Sequence, residues 1–135
     1  MQKFLKTNVY GGAWSKTRFA DACIVEGQYK IIYIAGMGSE DAATGKIEHL
    51  GDFMSQCQMA YNKIQTILNT QGGDMSNIVR IVAYLTDMRY SNDYITCRDL
   101  ALAGAQLPPH TLINVNQLAW PGMMVEVEVT AAVPI

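Results

Sequence analysis

The stretch LPPHTLINVNQLAWPGMMVEVEVTAAVPI, residues 107–135, decides the fold. It carries two short strand patterns, 110–115 and 123–132, and Trp120-Pro121-Gly122 between them is the punctuation of a tight reversal. In the second pattern Val125, Val127 and Val129 alternate with Glu126, Glu128 and Thr130. A period of two puts the valines on one face of a sheet and both carboxylates on the other. A histidine, His110, therefore opens one strand and two glutamates lie on the next, the one constellation in the chain with evident chemical potential.

Upstream, residues 78–85 are short and β-branched, as in a buried central strand, and Thr86-Asp87 ends them. A helix over 91–103 follows, with Tyr94, Cys97 and Ala101 on one stripe and Gly104 as its stop. The clearest helix spans 52–70. Phe53, Cys57, Ala60, Tyr61, Ile64, Ile67 and Leu68 recur at three and four, Gly72-Gly73 supply the stop, and Gln56, Asn62, Lys63 and Gln65 form the solvated face. Residues 17–25 and 29–35 pair as a hairpin about Gly27-Gln28, after an irregular glycine-rich 9–16, and 36–45 is a loop. The order is two strands, helix, strand, helix, two strands. It packs most economically as one α+β domain over 1–135, a single sheet with both helices on one face. The other face carries Ile78, Val82 and Tyr84, and burying it against copies of the chain predicts a symmetric homo-oligomer.

Composition narrows the function. Half of the residues are hydrophobic, and a net charge of −2 with ten basic residues gives no footprint for nucleic acid or an anionic membrane. The N-terminal Met1-Gln2-Lys3-Phe4-Leu5-Lys6 has no apolar core behind its basic residues, and the longest apolar run, 31–35, is too short for a bilayer. A soluble, cytoplasmic protein is expected. Cys23, Cys57 and Cys97 are odd in number and widely spaced, which predicts three small buried residues, no disulfide and no metal. No phosphate-cradling glycine loop or nucleophile elbow is present, and no cofactor is expected.

Three segments together, in order and spacing, make the chain resemble the Rid family, also called YjgF. They are Ala35-Gly36 followed by Asp41 and Thr44-Gly45, Leu85-Thr86-Asp87-Met88, and Leu118-Ala119-x-Pro121-Gly122 leading into Val125-Glu126-Val127-Glu128. The resemblance, from about residue 17 to residue 132, implies a chorismate-mutase-like α+β subunit assembled as a trimer. Ligand clefts then lie between subunits, and the founding activity is hydrolysis of reactive enamines and imines. It also implies that Glu126 stands near the attacking water, and that backbone groups of Leu112 and Gly36 orient the ligand. Imine-hydrolysing members carry an arginine in a Pro-x-Arg-Ser segment that grips the substrate carboxylate in a bidentate fork. This chain reads Pro108-Pro109-His110-Thr111, and Phe19 stands where the family often has a hydroxyl-bearing residue.

Hydrolysis of a C=N bond needs a base for water or an acid for the departing nitrogen, and a carboxyl group in a partly dry cleft can be either. Glu126 fits that role. His110 could anchor an anion when protonated or carry a proton when neutral, but it cannot reproduce the arginine fork, so small amino-acid-derived imines are expected to be poor substrates. Trp120 walls the cleft or caps its turn. The competing reading is a trimer that binds a small metabolite without turnover, favoured by Phe19, Trp120 and the missing arginine.

Overall fold

In the computed structural model the sheet is built on β6 (Val125–Pro134), which pairs antiparallel with β3 (Tyr29–Met37) on one side and β4 (Ile78–Leu85) on the other. The structure describes residues 3–135; Met1 and Gln2, which open the segment read as lacking an apolar leader core, lie outside it. The expected alternation holds, since Val125, Val127 and Val129 are buried while Glu126, Glu128 and Thr130 are half-buried on the opposite face. Helices α2 (Phe53–Thr70) and α3 (Ser91–Leu102) cover the valine face, where Ile64, Leu68, Tyr61, Tyr94 and Leu102 join Ile34, Ile81, Ala83 and Leu85 in one core. The fold is the expected α+β class.

The strand connectivity differs from the expected tight reversal. β5 (His110–Asn114) runs parallel to β4, giving the order β3-β6-β4-β5, so β4 lies between the two strands of the closing stretch. A parallel partner requires a crossover, and α3 provides it between β4 and β5. Residues 115–124 then carry the chain past β4 to reach β6.

At the N-terminal end, β1 (Leu5–Val9) forms where no strand is expected. It pairs with β2 (Ala22–Glu26) in a separate two-stranded sheet, so β2 is not a hairpin partner of β3. The strand expected over 17–25 begins only at Ala22, because the short helix α1 (Ala13–Lys16) and its turn occupy the preceding residues. Ala20 then bridges Pro109, its amide donating to the Pro108 carbonyl, and this docks the segment after α1 beside the start of β5.

Three readings of side chains change as well. Ile78 packs in the helix-covered core, because a register shift between Ile78 and Arg80 breaks the alternation; Val82 and Tyr84 remain on the open face. Gln56 is not solvated. It is fully buried, its Nε2 donating to the carbonyls of His49 and Gly122 and its Oε1 accepting from the Met124 amide, so it ties α2 to the start of β6. Finally, Cys57 and Cys97 are not independent residues: they face each other across α2 and α3, with Cα atoms 6.5 Å apart, and form a disulfide. Two stripes read separately as core had no way to reveal that their cysteines share a level. Cys23 is the free cysteine.

Candidate functional site

Side-chain parity separates the predicted site residues into two groups. His110 stands opposite Ile81 in the β4–β5 register and Leu112 opposite Ala83, so both point to the helix-covered side. Glu126 stands opposite Tyr84 and Glu128 opposite Val82, on the open face. His110 and Glu126 therefore leave one chain from opposite faces of its sheet, and the single constellation read from the sequence does not form within a subunit.

The first group lines a cavity of about 400 Å³ between α1, α3 and β5, walled by Trp14, Phe19, Ile95 and Leu112, with Arg18, Arg98 and His110 among its polar residues. The Ala20–Pro109 bridge brings Phe19 here, and Phe19 meets Trp14 edge to face at 5.6 Å between centroids. Tyr94 Oη lies 2.6 Å from His110 Nε2 and 2.6 Å from Tyr61 Oη. Burial, with the nearby Arg98 charge, pushes His110 down to about 3 from its usual 6.5. With its pKa so lowered the imidazole is neutral near neutral pH, the second of the two states expected of it. Arg98, only 3% exposed, directs its Nε and one Nη at Asp99 Oδ1, 3.0 and 2.9 Å away.

The second group lies against β3. A Cβ built on Gly36 would come 2.2 Å from Glu126 Oε1, so the glycine is what lets that carboxyl lie on the β3 backbone. Burial raises the Glu126 pKa, and the charges of Glu40 and Glu128 raise it further. Glu40 accepts from the Gly38 amide and pairs with Lys63 at 3.2 Å. Glu128 is engaged by the Tyr84 hydroxyl. No hydrogen-bond partner meets the Glu126 carboxyl among the described residues. Trp120, 59% exposed in the loop before β6, belongs to neither group. Among the described residues no three His, Cys, Asp or Glu side chains are placed to hold a metal, and no helix is long and apolar enough to cross a membrane.

The family model described as Endoribonuclease L-PSP matches residues 14–133. The chain belongs to this family. Some of its solved relatives carry the Rid and YjgF names and others the endoribonuclease name; a Rid-family protein of unknown function from Yersinia pestis is 24% identical, with TM-score 0.77 over 94% of this chain and 96% of that one. A second from Yersinia pestis is 21% identical, with TM-score 0.71 over 96% and 100%. A YjgF/YER057c/UK114-family protein from Mycobacterium tuberculosis is 22% identical, with TM-score 0.66 over 96% and 100%. At these identities the likeness is one of fold. No curated protein matches the sequence.

Within this Rid/YjgF fold, sequence reasoning missed Arg98, Tyr94, Trp14 and Arg18. Tyr94 was assigned to the core stripe, where it is, but its hydroxyl also reaches His110. Arg98 follows Cys97 directly, and nothing in the sequence separates it from a solvated helix cation.

Proposed function

We propose that the protein is a small-molecule hydrolase of the enamine/imine type, acting in clefts between copies of itself on substrates other than the smallest amino-acid-derived imines. The observation that carries this reading is Glu126: a half-buried carboxyl with a raised pKa, set against Gly36 and with no hydrogen-bond partner among the described residues, while its neighbour Glu128 is held by Tyr84. A carboxyl so placed can take a proton from water as it adds to a C=N carbon and return one to the nitrogen that leaves as ammonia. Family membership supports the class of protein; the reaction is our reading.

Parity supports clefts between copies. Ile31, Tyr33 and Ile113 are exposed on the open face, together with the partly covered Tyr84 and both glutamates. A cyclic trimer that covers this face removes exposed apolar area and brings the cavity of one copy toward Glu126 of the next. The acidic charge balance disfavours RNA as substrate, because phosphate backbones are bound through many cations.

The second reading, a metabolite-binding trimer without turnover, is favoured by the cavity itself, where the one carboxylate, Asp99, is already paired with Arg98. Ammonia release separates the two. Imines of increasing bulk, starting from 2-iminopropionate, are generated by an amino-acid oxidase, with semicarbazide trapping what remains. Acceleration of a bulky imine over the small one supports hydrolysis; no acceleration of any imine leaves the binding module.

A further inference from the structure

Two cross-links join α2 to α3: the Cys57–Cys97 disulfide, and the hydrogen bond between the Tyr61 and Tyr94 hydroxyls, 2.6 Å apart. Tyr61 lies one turn after Cys57 on α2, and Tyr94 lies one turn before Cys97 on α3. The helices are therefore antiparallel, and the cross-links are neighbouring rungs about one helical pitch apart. All four residues are buried. In a close-packed seam a displacement at one rung is felt at the next.

Both rungs lead to the cavity beside β5. The Tyr94 hydroxyl is shared between Tyr61 and His110 Nε2, each at 2.6 Å. A hydroxyl has one proton, so the direction of the Tyr61–Tyr94 bond decides whether Nε2 meets a donor or an acceptor. That choice sets the tautomer of a neutral imidazole. From the first rung, Arg98 follows Cys97 directly and lines the same cavity as His110.

The disulfide also has an approach from outside. A crevice of about 230 Å³ lies between the two helices, with Cys97 and Tyr61 in its lining beside Gln58, Asn62 and Leu100, the last three exposed. Cys97 is the sulfur that a small thiol meets there.

We propose that the Cys57–Cys97 bond is a reversible redox site, reached through this crevice, whose state sets the cavity through Tyr94 and Arg98. A small dithiol supplies the electrons. Its thiolate attacks Cys97 Sγ and Cys57 leaves as a thiolate; the second thiol of the reductant then attacks the mixed disulfide, closes to a cyclic disulfide and releases Cys97. Two electrons and two protons pass to the protein, which ends with two thiols in place of one S–S bond. Nonbonded sulfur atoms need more room than bonded ones, so the seam widens at the first rung, and the tyrosine contact and Arg98 shift with it. Tyr94 is here a positioning residue. The inference concerns a single chain and stands whether or not Glu126 turns a ligand over.

The test takes the whole protein through a cycle of reduction by dithiothreitol and reoxidation by oxidised glutathione, with intact mass reporting the bond. Far-UV circular dichroism should remain that of the folded chain throughout. Two-bond ¹H–¹⁵N spectra should show His110 in one tautomer when oxidised, displaced toward a mixture when reduced, and restored on reoxidation. Cys57→Ala should hold the reduced pattern in either buffer, while Cys23→Ser should respond as the wild type does. Asn62→Trp, which fills the crevice from an exposed position, should slow reduction several-fold. The wild-type cycle carries the test by itself should Cys57→Ala fail to fold. An all-thiol mass in the absence of reductant, His110 signals unchanged through the cycle, loss of the folded spectrum on reduction, or reduction of Asn62→Trp at the wild-type rate would overturn the proposal.

Discussion

Glu126 and Glu128 are two residues apart on one strand face, yet their surroundings differ. The Tyr84 hydroxyl bonds Glu128, whereas Glu126 lies against Gly36 with a raised pKa. Glu126→Gln should lower any turnover by about a hundredfold or more, the usual weight of a positioned proton carrier, while Glu128→Gln changes it only a few-fold. Equal effects in steady-state assays would mean that the wrong carboxylate has been assigned. Gly36→Ala should displace the Glu126 carboxyl and lower the rate without loss of fold. His110 makes a different prediction, on stability. Its folded value near 3 lies below the ordinary 6.5, so between those values the unfolded chain binds more protons than the folded one. The stabilisation is complete above about pH 6.5 and is lost as the pH falls toward 3, at up to about 1.4 kcal/mol per unit. Urea titrations across this window should show His110→Gln with a shallower dependence than the wild type; identical slopes would show that His110 titrates normally.

Elements fix where these residues end up. α2 is capped by the Asp52 side chain accepting from the Ser55 amide and is linked to β6 through Gln56, while the Cys57–Cys97 disulfide joins it to α3. Closing a loop of 40 residues by a disulfide is worth about 2–4 kcal/mol. Thermal unfolding should therefore drop by several degrees on reduction, and the intact mass without reductant should be two units below the all-thiol value. An unchanged melting temperature would show that the bond contributes nothing. Both helices and the alternation of β6 were legible because periods of 3.6 and 2 survive whatever the chain packs against. The order of strands was not. A parallel β5 is set by the α3 crossover, and β1 is too short and too mixed in character to stand out until β2 pairs with it. That Glu126 lies on the face opposite the valines was legible from the alternation of β6. Arg98 was not, because only the folded helix shows that its guanidinium faces a cavity and not solvent.

At the scale of the whole molecule, a four-stranded sheet presents Tyr33, 79% exposed, with Ile31 and Ile113 on a face that no helix covers. Sedimentation at micromolar concentration should find a trimer that dissociates on dilution, its melting temperature falling with it; a stable monomer would remove the basis for a site between copies. On the proposed function the His110–Arg98 cavity of one copy works with Glu126 of another, since the two lie on opposite faces of every single chain. Subunit mixing tests this most directly. Arg98→Gln and Glu126→Gln proteins are each assayed for ammonia release from the bulkiest imine the wild type hydrolyses. They are then mixed under conditions where mass spectrometry shows that subunits have exchanged. The expected outcome is two nearly inactive parents and a mixture that regains a substantial part of wild-type activity, because some clefts then combine an intact cavity with an intact Glu126. A mixture no more active than its parents, with exchange verified, would contradict it.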